Sequence, residues 1–546
     1  MSHKQPAELR AEAIAALKEL KTKEKLRAKD RIAIPPQEMP SQDPRVRSAN
    51  MFEVTYGYFE EQARAEAERC LQCRNAPCIE GCPVQIDIPR FIRHVAEGDY
   101  AASLAVIKET SLLPAICGRV CPQENQCQLT CTVGKSLKDT FKSVSIGRIE
   151  RFVAAWGAGM RGLSEDRLAE ADPLPPSAGM SQASAGDESA APVPAVRPAT
   201  GKRVAVIGSG PASITVAADV RREGHEVTIF EAFHKPGGVM IYGIPEFRLP
   251  KKIVEDELHT LEQMGVEIRT NFLVGQTRTL KDLLEKDGYD AAFIGTGAGL
   301  PRFMRIDGEN LVGVFSANEF LTRSNLMKAY DRNRAQTPIF QPRRVAVLGG
   351  GNVAMDAART AIRIGAEKVY VIYRRSRVEM PARAEEVDHA EEEGVEFLLL
   401  KNPTRILGDE NEQVVGIEVL DYELGEPDES GRRRPVPIKG SESVIELDTV
   451  IVSIGNDSNP LITKTTPELT ANKWGNIVTD ETGRTSMERV YAGGDIVLGA
   501  ATVILAMGEG RKAAAAINRM LAGESGRSST GEAPESRTAP TVSGPA

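Results

Sequence analysis

The sequence predicts an α/β protein in which a helical, cysteine-bearing unit precedes two Rossmann-like dinucleotide-binding folds, the second inserted into the first. Three observations carry this reading. All eight cysteines lie between Cys70 and Cys131, in a stretch with helical patterning and no strand–helix alternation. The order strand, glycine-rich turn, helix, strand occurs twice, over 203–231 and again over 343–376. A Gly-Gly-Asp segment followed by a long helical pattern, at 489–517, closes the first of these folds near the end of the chain.

Composition sets the frame for these elements. At 546 residues the chain is too long for one core, and its 41% hydrophobic content is ordinary for a globular protein. A net charge of −8, from 68 basic and 76 acidic residues, argues against a nucleic-acid partner. No apolar run reaches membrane-spanning length, and the N-terminus lacks the apolar core of a signal peptide. A cytoplasmic chain without membrane contact is therefore expected. Confinement of the cysteines to one short segment of such a chain points to metal binding rather than disulfides.

In chain order, residues 1–49 are expected to form an N-terminal helical extension. Within it, 1–30 reads as one amphipathic helix, with Leu9, Ile14, Leu17 and Leu20 on a face and many lysines in solvent. The cysteine-bearing helical domain follows over 50–156. Residues 157–200, rich in Pro, Ala, Ser and Gly, read as a flexible linker. The first dinucleotide fold occupies 201–325 and 456–522, the second 326–455, and 523–546 reads as a disordered tail.

The cysteines form two runs, Cys70-x2-Cys73-x4-Cys78-x3-Cys82-Pro83 and Cys117-x3-Cys121-Pro122-x5-Cys127-x3-Cys131. Short loops of this kind bring thiolates together from several directions, as a cube-shaped cluster requires, and a proline stiffens the turn after a ligand. In two-cluster ferredoxins the cysteine before proline serves the other cluster. Zinc is the competing reading, but zinc sites usually come as two CxxC pairs and only one is present. Two [4Fe–4S] clusters are expected, and a count of eight cysteines taken alone divides them into two sets of four, Cys117 included.

In the first dinucleotide fold, Gly208 permits the tight turn and Gly210 the close approach of a pyrophosphate, with Pro211 beside it. Ser213 takes the small packing position, and Glu231 ends the second strand as an acceptor for ribose hydroxyls. Gly238, in GGVMIYGIPEFRLPK, and Gly295 and Gly297, in FIGTGAG, follow. Near the end, Gly494 and Asp495 precede the helix that Thr502 opens, with Asp495 placed for a ribityl hydroxyl. A nucleotide loop early in the chain and a Gly-Asp motif late in it is an arrangement for FAD.

The second fold repeats the turn with Gly349, Gly351, Asn352 and Ala354. Its second strand ends in Arg374-Arg375 rather than an acid, which suits the 2′-phosphate of NADPH, with Arg377 nearby. VIVSIGN (450–456) mirrors FIGTGAG as the crossing back into the first fold.

Residues 50 to about 520 resemble the small (β) chain of NADPH-dependent glutamate synthase and its relatives. These include the large subunit of NADH-dependent ferredoxin:NADP oxidoreductase and the N-terminal part of dihydropyrimidine dehydrogenase. The segments that carry the resemblance are ERCLQCRNAPCIEGCPVQIDIPRFI (68–92), LPAICGRVCPQENQCQLTC (113–131), IGRIERFVA (146–154), GIPEFRLPK and RRSRVEMPARAEE. The resemblance implies an electron-input subunit. Hydride would pass from NADPH to FAD, and single electrons through two [4Fe–4S] clusters to a partner, with no acid–base or nucleophilic residue required. The partner it implies is an FMN-containing glutamate synthase large chain, which makes glutamate from glutamine and 2-oxoglutarate. The alternative is a ferredoxin-linked flavoprotein subunit of a bifurcating enzyme. It also implies ligand sets: Cys82, Cys121, Cys127 and Cys131 for one cluster, and Cys70, Cys73, Cys78 and the carboxylate of Glu150 for the other. Cys117 would then be a buried, unligated thiol.

Overall fold

A computed structural model describes residues 4–159 and 194–523, apart from 332, 334, 336, 338, 429 and 430. The central part of the expected linker, 160–193, and the expected tail from 524 lie outside the described residues.

The cysteine-bearing unit, from 50 to 159, is built of helices joined by loops, with no strand among its described residues. Its principal helices are Glu60–Glu68, Ile88–Glu97, Tyr100–Lys108, Pro114–Val120 and Ile146–Gly157. Local chemistry starts them. The Asp87 and Asp99 side chains accept from the backbone N–H groups of Arg90 and Ala102, and Pro89 and Pro114 sit in first turns. Phe91, Ile107, Ile116 and Ile149 are fully buried between the helices.

The N-terminal extension departs from a single helix over 1–30. A helix Pro6–Leu20 packs through Leu9 and Ala13, and after a break a short helix Ala28–Ile32 follows. Ile14 is 46% exposed rather than on the packed face. The break falls where Lys21, Lys23 and Lys25 crowd like charges around a β-branched threonine, so extending the helix gains little.

Among the described residues sixteen strands follow: β1 Arg203–Ile207, β2 Glu226–Phe230, β3 Glu267–Arg269, β4 Ala291–Ile294, β5 Leu300–Pro301, β6 Val314–Ser316, β7 Arg344–Leu348, β8 Lys368–Tyr373, β9 Glu396–Leu399, β10 Lys401–Gly408, β11 Val414–Pro427, β12 Arg433–Pro437, β13 Ser443–Glu446, β14 Thr449–Val452, β15 Asn456–Asp457 and β16 Val490–Ala492. Two five-stranded parallel sheets run in the orders β16-β4-β1-β2-β3 and β6-β14-β7-β8-β9. The central strands β1 and β7 read RVAVI and RVAVL, continuous apolar runs buried on both faces as parallel strands require. The second sheet takes its first strand from β6, upstream of position 326, because Val314, Phe315 and Ser316 pair in register with β14. The antiparallel pair β5–β15 carries the two crossings between the folds.

Residues 194–200 pack on the first fold: Arg197 and Thr200 donate backbone N–H bonds to Arg222 and Gly224. The antiparallel strands β10–β13, which the sequence pattern does not announce, build an excursion beside the second sheet.

Candidate functional site

The first dinucleotide turn lies between β1 and the helix Pro211–Arg222. Gly208 has φ +92°, and a Cβ there would stand 2.6 Å from the Gly295 carbonyl oxygen, so two predicted glycine segments meet at this point. Around a Cβ on Gly210 or on Gly297 there is open space to 4 Å, the cradle a pyrophosphate needs. Gly238 approaches the Gly210 backbone closely. Ser213 is fully buried beneath, with its hydroxyl 3.4 Å from the Gly295 oxygen. The Glu231 carboxylate ends β2 and accepts from the Ser209 and Phe233 backbone N–H groups at 3.0 and 2.8 Å.

The closing helix, Val503–Leu521, brings a second terminus to the same cradle. Gly510 on it touches the Ala212 backbone, where a Cβ would stand 2.5 Å from the carbonyl oxygen. Thr502 caps it by accepting from Leu505 N–H. Gly494 begins the preceding turn, in which burial pushes the Asp495 carboxyl up to about 6 and the Ala501 N–H, at 3.2 Å, opposes that shift. These residues fit FAD: two helix N-termini and an open glycine turn suit a pyrophosphate, and a largely buried acid stands ready to hydrogen-bond a hydroxyl.

The second turn repeats the design. Gly349 has φ +142°, and a Cβ there would meet the Ser453 carbonyl oxygen at 2.2 Å. Gly351 caps the helix Asn352–Arg363, where a Cβ would meet only the Pro381 ring at 4.0 Å, while Ala354 is buried. Asn352 is turned to another use than the ligand side alone, its Oδ1 accepting the Arg383 N–H at 2.9 Å. The paired arginines separate. Arg374 is exposed at the end of β8. Arg375, 7% exposed, turns inward, donating to the Arg433 carbonyl at 2.8 Å and to Asp428 at 2.7 Å. The expectation that both face a 2′-phosphate is corrected here: the β11–β12 hairpin claims Arg375. Arg377 pairs with Asp388 and Glu391.

The cysteines assemble into two groups. Cys70, Cys73, Cys78 and Cys131 line one cavity. Burial pushes the Cys70 and Cys78 thiols up, to about 11 and about 12, and the Cys131 sulfur adds to both shifts. The second group gathers Cys82, Cys121 and Cys127 around Glu150, whose charge acts on all three thiols. This corrects the ligand sets implied by the resemblance: Cys131 stands with the first three cysteines and Glu150 with the Cys82 group. The cause is the path of the chain. The helix Thr132–Leu137 starts from Cys131, and Thr132 lies within 3.4 Å of the Cys73 sulfur, so Cys131 points to the first cavity.

Both groups fit [4Fe–4S] clusters. In the first group four thiols line one cavity, the donor number such a cluster takes. Glu150 is 6% exposed, its Oε1 has no hydrogen-bond partner, and burial pushes its carboxyl up to about 8. An orphaned buried oxygen beside three thiols is a candidate for the fourth donor of that group, and the Cys117 thiol, which hydrogen-bonds the Cys121 sulfur, is the other. Cys117 is 1% exposed, and its sulfur contacts the Met507 sulfur at 3.6 Å.

Residues 202–516 match the family described as pyridine nucleotide-disulphide oxidoreductase, and 47–161 match dihydropyrimidine dehydrogenase domain II, 4Fe-4S cluster. The glutamate synthase [NADPH] small chain of Halomonas elongata is 35% identical over 474 residues, covering 86% of this chain and 93% of its own. That of Escherichia coli is 34% identical over 488 residues, covering 88% and 96%. The chain belongs to the glutamate synthase small chain family of pyridine nucleotide-disulphide oxidoreductases. It is an oxidoreductase for FAD, a pyridine nucleotide and 4Fe–4S clusters. The β subunit of NADP(+)-dependent formate dehydrogenase from Moorella thermoacetica is 38% identical over 449 residues, which are 82% of this chain but 60% of that subunit. Mycobacterium tuberculosis FprA in complex with NADPH, 21% identical, shares the fold with a TM-score of 0.50 over 60% of this chain and 86% of its own. Among the described residues no helix is long and apolar enough to cross a membrane.

The junction between the three units gathers residues from four of the segments that carry the family resemblance, to which the sequence alone assigns no shared site. Arg119, Arg148, Arg151, Arg248, Arg359 and Arg383 surround one cavity there with Glu385, Glu386 and His389. Arg383 donates to the Arg119 carbonyl at 2.8 Å, and Arg47 of the N-terminal segment pairs with Glu393 at 2.9 Å. The charged run RVEMPARAEE is the available signal, since so many charges in so short a segment need partners when buried.

Proposed function

We propose that the chain is the electron-input subunit of an NADPH-dependent glutamate synthase, delivering electrons to an FMN-containing large chain that makes glutamate from glutamine and 2-oxoglutarate. FAD would supply the conversion of a hydride into single electrons, and the two clusters would supply their relay. The observation that supports this order is the contact between the Cys82 group and the helix that closes the FAD cradle. A Cβ on Gly508 would stand 2.9 Å from the Pro83 carbonyl oxygen, so the Cys82-Pro83 turn lies directly on that helix. Cys117 touches Met507 one residue before, and Gln126 donates to Thr502 at 3.4 Å. These contacts hold the Cys82 group beside the flavin cradle and leave the Cys70 group, with Cys73 and Cys78 partly exposed, as the outer site.

The chain's own residues have positioning tasks. Gly210 and Gly351 open two helix N-termini to diphosphates, Arg374 offers an unburied guanidinium to a 2′-phosphate, and Glu231 and Asp495 present acceptors to hydroxyl groups. Lys251 donates to the Met240 and Leu249 carbonyls at 3.1 Å each, and to that of Ile244, shaping the loop between the folds.

Anaerobic purification should yield about one FAD and about eight iron atoms per chain. Addition of NADPH should bleach the flavin absorbance and then produce cluster EPR signals. Co-expression with an FMN-containing glutamate synthase large chain should give NADPH-dependent glutamate formation. A protein carrying zinc, or one in which NADPH bleaches the flavin but never reduces a cluster, would sink the reading. Cluster reduction without glutamate formation would move the partner to the class represented by the formate dehydrogenase relative.

A further inference from the structure

Two basic segments flank the cavity of Cys70, Cys73, Cys78 and Cys131. Residues 21–31 carry six basic and two acidic side chains, and 132–142 carry three basic and one acidic, in a chain whose net charge is −8. Arg69, the residue before Cys70, ties the chain just after the first segment to the end of the second. Its guanidinium donates to the Ile34 carbonyl at 3.1 Å, to that of Ser143 at 2.8 Å and to that of Lys142 at 2.5 Å. Arg31 donates to the Glu68 carbonyl at 2.7 Å, and its charge acts on the Cys70 thiol. On the other side, Lys135 follows Cys131 by one helical turn, its N–H donating to the Cys131 carbonyl at 3.1 Å.

Several of these cations have no acid to answer them. Lys23 and Lys142 are paired, with Asp30 and Asp139, each at 3.3 Å. Lys25, Lys29, Arg74, Lys135 and Lys138 are exposed and form no ion pair among the described residues. Phe141, three residues after Lys138 on the same segment, is 73% exposed. An uncovered aromatic side chain on the segment that carries the unpaired Lys135 and Lys138, and that begins in the wall of the four-thiol cavity, has the composition of an interface: an apolar anchor with neighbouring charges that set orientation.

We propose that this surface docks an acidic redox protein, which takes electrons from the Cys70–Cys73–Cys78–Cys131 site. The proposal rests on the electron-input reading above and adds the face used and the sign of the partner's charge. The Cys82 group faces the flavin helix, so the outer site is the one a partner can reach. Lysines held apart from carboxylates on an acidic chain would steer a partner whose own carboxylates surround its electron entry point, and would repel copies of a basic one. The balance is simple: each NADPH oxidised reduces two one-electron acceptors and releases one proton.

The test uses the reconstituted holoprotein with three acceptors. An acidic [2Fe–2S] ferredoxin and basic cytochrome c report docking, and the dye dichlorophenolindophenol reports the flavin alone. The NADPH-driven ferredoxin rate should fall at least about tenfold as salt rises from about 20 to about 300 mM, as screening of an exposed charged encounter requires. The Lys135→Glu/Lys138→Glu variant should lose at least about tenfold with ferredoxin and gain with cytochrome c, leaving dye reduction unchanged. A ferredoxin rate within about twofold of the parent in that variant, or one indifferent to salt, overturns the proposal. If the double Glu variant lacks cluster EPR signals, Lys135→Gln/Lys138→Gln is measured instead, and a parental ferredoxin rate there overturns it equally. A parent protein that cannot reduce the dye with NADPH would instead strike at the electron-input reading.

Discussion

Arg248 donates to both carboxylate oxygens of Asp356 at 2.7 Å, joining the loop that follows the flavin turn to the first turns of the nucleotide helix. Both side chains are buried, and Glu386 lies 3.3 Å from the Arg248 Nε. Removing the guanidinium leaves the buried Asp356 carboxylate without its hydrogen-bond donor, while Glu386 keeps Arg359. Arg248→Ala should therefore lower stability by about 3–5 kcal/mol, and Asp356→Asn on that background should restore part of the loss. Chemical denaturation of the holoprotein measures both. A loss under about 1 kcal/mol would mean the pair behaves like an exposed one.

Nucleotide choice should depend on Arg374 and not equally on Arg375. Arg374→Ala should raise KM for NADPH by about 10–100-fold, the loss of about 1.5–3 kcal/mol for a charged hydrogen bond, with little change for NADH. Arg375→Ala should lower the melting temperature by releasing the β11–β12 hairpin from its hold, and should affect the two nucleotides alike. Steady-state kinetics with both nucleotides, beside thermal melts, separates the roles; equal selectivity losses in the two variants would refute the division.

The cluster grouping makes a spectroscopic prediction. Cys131→Ser should disturb the same EPR signal as Cys70→Ser, and Glu150→Ala the same signal as Cys82→Ser. Glu150→Gln, which keeps an oxygen donor, should retain about eight iron atoms, and Cys117→Ser should leave both signals intact. A shared signature of Cys131→Ser and Cys82→Ser would restore the sets implied by the sequence resemblance.

At the three-unit junction, burial holds the His389 imidazolium down to about 4, and the Arg359 charge adds to the effect while Glu386 and Glu385 oppose it. Its folded value lies below the ordinary 6.5, so the unfolded chain binds the proton first. The stability this neutral ring permits is present above about pH 6.5 and is lost as the pH falls to about 4, up to roughly 3 kcal/mol. Glu386 extends the acid limb. Burial raises its carboxyl, but Arg248 and Arg359 outweigh that and hold it at about 2, so its contribution fades from about pH 4.5 downward. Denaturation midpoints between pH 7 and 4 should fall less steeply in His389→Gln than in the parent; parallel curves would remove the histidine from the account.

Local chemistry is legible in the amino-acid sequence itself. Gly208 and Gly349 occupy turns whose geometry admits little else, Gly210 and Gly351 leave the ligand side of each turn clear, and the apolar runs of β1 and β7 announce buried parallel strands. What cannot be read there depends on distant partners. Arg375 looks like its neighbour Arg374 until Asp428, 53 residues later, takes it inward. Cys131 belongs to the second cysteine run by spacing, but the helix it begins turns it toward Cys73. Strands β10–β13 lie partly in solvent, and their mixed polar pattern over KNPTRILG and RRPVP hides the alternation that marks a half-buried strand.

The strand order of the first sheet has a consequence for how the chain reaches its native state. β16 completes that sheet by pairing Val490 with Ala292, across the whole of the inserted fold. The inserted fold, from β6 to β14, has all five of its strands before residue 453 is made, so during synthesis it can close as an autonomous unit while the outer sheet still lacks an edge. Closing the outer sheet then requires a loop entropy set by the compact insertion and the short β5–β15 ribbon, rather than by nearly two hundred loose residues. Early folding of the inner unit thus converts a contact of very long range into a local one, and the flavin cradle, which needs the helix after β16, is completed only once the end of the chain is made.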